Sequence, residues 1–227
     1  MAQYDVWENE YRRLSLLTGK SEPQKDVTRF LKFLKKKEKV VITNLRVLDL
    51  GSGTGRNTNY LEILGNNCVG LEISDTAINV ARKRAYEKNL NTQFIKHDIG
   101  LAYPFADNEF DLILDVTSSN SLNEKERETY LKENFRVLKT DSHFFVKALC
   151  KDGDKNAQNL LKLSPGKEKD TYVMKEIGLV ERVFNHDDFI KTYSPYFKIL
   201  RLEKKTTYTQ FNGKSYKRNF WIAYLKK

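Results

Sequence analysis

The chain has 227 residues and a formal net charge of +10. This length suffices for one α/β domain with a sizeable core. No apolar run approaches the roughly 20 residues of a membrane span, so no membrane partner is expected. The N-terminus "MAQYDVWENEYRR" is acidic and aromatic, unlike a secretory signal. The two cysteines, Cys68 and Cys150, lie in apolar runs, which indicates reduced core thiols and a cytoplasmic protein.

The positive charge is concentrated in the last third of the chain. Residues 151–227 hold 17 Lys and Arg against 9 Asp and Glu, whereas residues 1–150 are close to balanced. Such an excess can attract an anionic partner, nucleic acid included. A lysine-rich solvated surface has the same composition, so both interpretations stay open.

Residues 3–39 predict two helices. The first carries Tyr4, Trp7, Tyr11 and Leu14 at spacings of three and four residues, and the second is apolar at the same periodicity before it ends in "KKKEK". We expect residues 1–44 to form a helical cap.

Strands and helices alternate from residue 45 onward. The predicted strands are "LRVLDL", "NCVGLEIS", "TQFIKHDI", "FDLILDVT" and "HFFVKALC". The fourth is apolar nearly throughout, as a strand covered on both faces must be. This rhythm predicts an α/β fold with a doubly wound, mainly parallel sheet and helices on both faces.

The pattern changes after residue 150. Residues 151–197 are polar and irregular, and we expect this insertion and residues 1–20 to form a mobile lid that a ligand orders. Two alternating strands follow, joined by Asn212-Gly213, a strong hairpin signal. Residues 198–227 should therefore close a seven-stranded sheet with an antiparallel hairpin, so that residues 45–227 form one domain.

The segment "VLDLGSGTGRNTNYL", residues 47–61, predicts a buried strand, a turn with three glycines and a helix. Glycine at such a junction permits a sharp bend or a close approach of a ligand. In doubly wound sheets, ligands bind where the strand order reverses. The dinucleotide pattern G-x-G-x-x-G is not met, because Arg56 stands where its third glycine would fall. Asp49 also disfavours a pyrophosphate and suits a ligand that carries positive charge.

These features resemble the class I S-adenosylmethionine-dependent methyltransferases over residues 45–150 and the closing hairpin. The motif is "VLDLGSGTG", followed by acidic residues that end the next three strands. The resemblance implies that Glu72 binds the ribose hydroxyls and Asp98 the adenine amino group, with the Ile99 N–H on a ring nitrogen. The implied set for S-adenosylmethionine is Asp49, Gly51, Gly53, Gly55, Glu72, Ile73, Asp98, Ile99 and Asp115.

Methyl transfer from a sulfonium requires alignment and exclusion of water, and no metal. The three histidines show no metal-ligand spacing, and no metal site is expected. His97 alternates with Asp98, so we expect it to face away from the ligand. A small polar acceptor is the favoured substrate, and the candidate residues to orient it are Asn120, Tyr11 and Arg182.

RNA is the alternative acceptor. Asp115 and Lys147 match two positions of ribose 2′-O-methylating enzymes, but the second lysine and the glutamate of their catalytic set have no recognisable motif here. The basic C-terminal third also favours this alternative. A protein acceptor and a non-catalytic S-adenosylmethionine-binding module stay open as well.

Overall fold

The computed structural model describes residues 3–13, 21–211 and 214–227. The predicted Asn212-Gly213 turn and the apolar position Leu14 lie outside the described residues. Cys68 and Cys150 are buried free thiols. None of the described helices has the length and apolar character needed to cross a bilayer.

Nine strands are present in the described residues. They are β1 (Arg46–Leu50), β2 (Asn67–Glu72), β3 (Gln93–Lys96), β4 (Phe110–Val116), β5 (Leu138–Cys150), β6 (Thr171–Met174), β7 (Leu179–Arg182), β8 (Lys198–Phe211) and β9 (Lys214–Lys226).

Seven of these strands form one sheet in the order β3-β2-β1-β4-β5-β9-β8. The pairs from β3 to β5 are parallel, and β9 is antiparallel to both β5 and β8. The prediction of a mainly parallel seven-stranded sheet closed by an antiparallel hairpin is confirmed. The strand order reverses between β1 and β4, which places the glycine turn after β1 at the reversal point.

Helices cover both faces of this sheet. They are α1 (Tyr4–Arg12), α2 (Lys25–Phe33), α3 (Arg56–Ile63), α4 (Asp75–Glu87), α5 (Glu124–Val137), α6 (Lys155–Leu163) and α7 (His186–Tyr193).

Alternate residues of the central strands enter two separate cores. Leu48 and Leu50 of β1 pack in the core that holds α5 and α7, whereas Val47 packs in the core that holds α2 and α6. Phe30 of α2 is fully buried there, with its ring 5.3 Å from that of Phe145. The second predicted helix is therefore part of the domain core.

Two segments differ from their predicted secondary structure. Residues 151–197 contain α6, α7 and the antiparallel pair β6–β7, where the sequence predicts irregular chain. Strand β5 begins at Leu138 instead of His143 because Leu138 pairs with Phe110 and Ser142 accepts a hydrogen bond from the Lys227 N–H. The earlier start of β5 therefore comes from long-range backbone pairing, whereas β6 and β7 form a local hairpin.

Helix α1 docks on the N-terminus of α4 through Glu8. The buried Glu8 carboxylate accepts hydrogen bonds from the Ser74 hydroxyl at 2.6 Å and from both the N–H and the hydroxyl of Thr76. A carboxylate at a helix N-terminus is favourable because it meets unpaired N–H groups and the positive end of the helix dipole. Burial opposes ionisation, but these hydrogen bonds prevail and lower the pKa of Glu8 to about 2.

Gln3 fixes the other end of α1. Its side-chain amide donates to the carbonyl oxygens of Ser121 and Val180 and accepts from the Val180 N–H at 2.6 Å. The start of α1 is thereby joined to β7 and to the turn that follows β4.

We predict that Glu8→Gln loosens α1. Hydrogen exchange of the α1 amides should accelerate while β4 and β5 keep their protection, and urea unfolding should show a loss of roughly 1.5–3 kcal/mol, the scale of hydrogen bonds to a charged group. The folded pKa of Glu8 lies below its ordinary value, so its stabilisation is present above about pH 4.5 and is lost as the pH falls toward 2. The stability difference should shrink over that interval. Glu87→Gln, on the exposed side of α4, is the control, and unchanged α1 exchange in the Glu8 variant would contradict the docking.

Candidate active site

The glycine turn connects the end of β1 to the first residue of α3. Gly51 and Gly53 have φ values of +59° and +55°, in the left-handed region that disfavours residues with a Cβ. A Cβ at Gly53 would also lie 2.7 Å from the Tyr11 hydroxyl. The turn therefore needs glycine for its backbone conformation and for the close approach of α1.

Glu72, the last residue of β2, holds this turn in place. One carboxylate oxygen accepts the Gly53 N–H at 2.8 Å, and the other accepts the N–H groups of Ile73 and Ser74. Glu72 is buried, which raises its pKa, while the backbone hydrogen bonds act in the opposite direction. A carboxylate has about four acceptor positions, so roughly one is left for a ligand hydroxyl. Binding both ribose hydroxyls would require Gly53 to share or release its bond.

Asp49 lies beneath the turn at the end of β1. It is buried, and its Oδ2 accepts the Thr58 hydroxyl at 2.6 Å. Burial raises the pKa of Asp49 to about 7 despite the bond from Thr58. A positively charged ligand beside Asp49 would favour its ionised form.

The segment after β3 also reaches this site. Asp98 accepts the Gly100 N–H at 2.9 Å, and both Asp98 and Ile99 line the cavity. His97 lines it too, so the expectation that His97 faces away is wrong. The reason is that β3 ends at Lys96, and the alternation of a strand does not extend to residues 97 and 98.

One cavity of about 140 Å³ brings most of the predicted cofactor residues together. It is bounded by the glycine turn, the ends of β2 and β3, the turn after β4, and α1. The predicted residues that line it are Asp49, Gly51, Gly53, Glu72, Ile73, Asp98 and Ile99, while Gly55 and Asp115 do not.

Asp115 is fully buried at the end of β4. It accepts the Tyr130 hydroxyl at 2.7 Å and the Ser118 N–H at 2.8 Å. Burial raises its pKa. Asp115 thus shapes the turn after β4, and Ser118, which it positions, lines the cavity in its place.

Of the three residues predicted to orient the methyl acceptor, one lines the cavity and two do not. Tyr11 lines the cavity together with Trp7. Asn120 is buried and accepts the Leu149 N–H, and Arg182 donates to Asp188 at 2.7 Å. Neither Asn120 nor Arg182 lines the cavity.

Asp115 and Lys147 lie on opposite faces of the sheet. Asp115 is paired in register with Val146, so the side chains of Asp115 and Lys147 alternate in direction. Lys147 donates to Asp26 of α2 at 3.0 Å, and burial lowers its pKa although Asp26 acts against this. The two residues that match the ribose-methylating enzymes do not form one catalytic cluster.

Three further residues line the cavity although the sequence pattern did not predict them there: Arg56, His97 and Asn57. Arg56 and Asn57 could have been identified, because they are the first residues of the helix that follows the glycine turn. His97 required knowledge of where β3 ends. In the described part of the chain, no group of three His, Cys, Asp or Glu side chains is arranged to hold a metal ion.

Comparison with known proteins agrees with this geometry. A family model described as "Methyltransferase domain" matches residues 47–141. An uncharacterized methyltransferase of Schizosaccharomyces pombe is 30% identical over 102 residues, which cover 45% of this chain and 70% of that protein.

Solved structures share the fold over nearly the whole chain. A SAM-dependent methyltransferase from Methanosarcina mazei superposes with a TM-score of 0.73 and 19% identity, covering 91% of this chain and 98% of that one. The 1,6-didemethyltoxoflavin-N1-methyltransferase of Burkholderia thailandensis, solved with 1,6-didemethyltoxoflavin and S-adenosylhomocysteine, gives a TM-score of 0.71 at 14% identity and covers 100% of this chain and 87% of that one. The glycine turn, the matched domain, the related sequence and the shared fold lead to one conclusion. The chain belongs to the class I S-adenosylmethionine-dependent methyltransferases.

Proposed function

We propose that this protein transfers a methyl group from S-adenosylmethionine to a small polar acceptor. The observation that carries the proposal is the convergence of the glycine turn, Glu72 and Asp98 on one cavity. Glu72 retains acceptor capacity for a ribose hydroxyl, and Asp98 and the backbone of Ile99 lie where an adenine ring could be bound at its edge. These residues fit the cofactor that the family uses.

The cofactor supplies an electrophilic methyl group on a sulfonium sulfur. The contribution of the protein is to hold this group and the acceptor in line and to keep water away. Asp49 provides negative charge next to the glycine turn, and Trp7 and Tyr11 of α1 also line the cavity. No covalent enzyme intermediate is required.

Helix α1 acts as the lid in this proposal. The cavity of about 140 Å³ is smaller than the roughly 300–1,000 Å³ typical of ligand sites, and we expect α1 to move outward when the cofactor binds. No residue of the 151–197 insertion lines the cavity. The insertion instead anchors the lid through the bonds between Val180 and Gln3. Hydrogen exchange of the α1 amides should be slower with S-adenosylhomocysteine than without it. Equal protection of these amides in the two states would contradict a lid.

A small acceptor is favoured over RNA because part of the positive charge of the basic C-terminal third, which holds 17 Lys and Arg, is paired with carboxylates. At least six of its Lys and Arg side chains form ion pairs with carboxylates, which reduces the charge available for phosphates. These residues are Lys151, Arg182, Arg201, Lys205, Arg218 and Lys226. The Burkholderia neighbour, a 1,6-didemethyltoxoflavin-N1-methyltransferase, is named for a small-molecule acceptor, which also favours this class.

We predict that S-adenosylmethionine and S-adenosylhomocysteine bind without added metal. Glu72→Ala should weaken binding by roughly 1.5–3 kcal/mol, because it removes a charged acceptor and frees the Gly53 N–H. Titration calorimetry measures this, with Glu87→Ala as the control. Binding of NAD instead of S-adenosylmethionine by the wild-type protein would refute the cofactor assignment.

We predict that cofactor affinity depends on pH through Asp49. Its pKa is about 7 in the ligand-free cavity, and a cationic ligand should lower it. Binding therefore releases a proton, and affinity should fall by roughly tenfold for each pH unit below 7, with a plateau above. Asp49→Asn should bind more weakly and lose this part of the pH dependence. A wild-type affinity that is constant between about pH 5.5 and 7 would contradict the role of Asp49.

We predict that the acceptor is found among small metabolites. Transfer from labelled S-adenosylmethionine into a metabolite extract should change little between about 50 and 300 mM salt, whereas RNA binding through six phosphates would show a log–log slope of about −5. Total RNA and protein fractions serve as the other substrates. Salt-sensitive methylation of RNA that Lys147→Ala abolishes would overturn the small-acceptor proposal in favour of ribose methylation.

A further inference from the structure

One charged side chain in the cavity has no ion-pair or hydrogen-bond partner among the residues that the structure describes. Arg56, the first residue of α3, lines the cavity beside the glycine turn. Within the described ranges, its guanidinium forms no ion pair and donates no hydrogen bond. Arg84 reaches the same turn but donates to the carbonyl oxygen and the hydroxyl of Thr54. Arg56 therefore does not serve to brace the turn.

The carboxylates that share the cavity are already engaged. Glu72 receives three backbone N–H groups, and Asp98 receives the Gly100 N–H. Asp49 is the carboxylate that acts most strongly on Arg56, but it accepts the Thr58 hydroxyl and has a pKa of about 7. Because burial raises the pKa of Asp49, this carboxylate offsets only part of the Arg56 charge at neutral pH.

Arg56 is half-buried, and burial lowers its pKa. The guanidinium nevertheless stays charged, because arginine does not lose its proton in proteins. A charged group that is removed from water without a partner is unfavourable, and an anion in the same cavity relieves this cost. The planar guanidinium can donate two parallel hydrogen bonds to the two oxygens of a carboxylate or a phosphate. These two groups therefore fit it better than other anions do.

We propose that Arg56 binds an oxyanion, a carboxylate or a phosphate group, of a ligand inside this cavity. Two ligands can carry that group. The first is S-adenosylmethionine, whose amino-acid portion ends in a carboxylate, and for this source the proposal rests on the proposed function. The second is the methyl acceptor, which would then be an anionic small molecule.

The first experiment compares S-adenosylmethionine with decarboxylated S-adenosylmethionine by titration calorimetry. If the cofactor carries the oxyanion, Arg56→Gln should weaken binding of S-adenosylmethionine by roughly 10- to 150-fold and change binding of the decarboxylated form by less than about threefold. Arg56→Lys should recover part of the loss. Lys83→Gln removes the same charge from an exposed position on α4 and should change neither affinity.

The second experiment applies if Arg56→Gln binds S-adenosylmethionine like the wild type. Inorganic phosphate and acetate are then titrated onto the S-adenosylhomocysteine complex, and the melting temperature is recorded. The wild-type complex should be stabilised and the Arg56→Gln complex should not. This result would identify the acceptor as the source of the oxyanion.

The proposal is wrong if Arg56→Gln equals the wild type in both experiments. If the wild-type protein does not bind S-adenosylmethionine, the proposed function fails, and the phosphate and acetate titrations on the free protein still decide on Arg56. Loss of stabilisation by these anions in Arg56→Gln would then support an oxyanion site, and equal stabilisation would exclude one.

Discussion

The Glu72 carboxylate is the contact on which the arrangement of the cavity depends. Its two oxygens join the glycine turn after β1 to the first residues after β2. Glu72 ends a strand of the central sheet, so the position of its carboxylate is set by the sheet register and not by a loop. The same group therefore fixes the turn and presents acceptor capacity to the cavity. This combination explains why a buried charge is retained at this position despite the cost of its burial.

Helix α1 extends this organisation from the sheet to the lid. Ser74, whose N–H reaches Glu72, also donates its hydroxyl to Glu8 of α1, so one short segment connects the cofactor turn with the cap. The opposite end of α1 is joined through Gln3 to Val180 of the insertion. A ligand that moves the glycine turn is therefore coupled to α1 by direct hydrogen bonds. The insertion influences the cavity through this anchor, although it lines no part of it.

The sequence predicted the features that local periodicity and strand ends determine. The order of strands and helices in residues 45–150 follows from apolar patterning, and the position of Glu72 follows from its place at the end of β2. Asp98 was expected to end a strand and lies two residues after β3. The pair β6–β7 was missed because four-residue strands that pair only with each other leave little pattern in the sequence. His97 was misplaced because β3 ends at Lys96, three residues before the end of the predicted strand. Asp115, Asn120 and Arg182 were polar residues in plausible positions, but tertiary partners that sequence alone does not reveal bind their side chains.

A crystal structure of the complex with S-adenosylhomocysteine tests the central claim most directly. The account predicts a ribose hydroxyl within hydrogen-bond distance of Glu72, the adenine edge at Asp98 and Ile99, and the amino-acid portion over the glycine turn beneath Tyr11. Helix α1 should be displaced from its position on Gly53 or repacked around the ligand. Density for the ligand elsewhere on the molecule, or in this cavity with the ribose away from Glu72, would contradict the account.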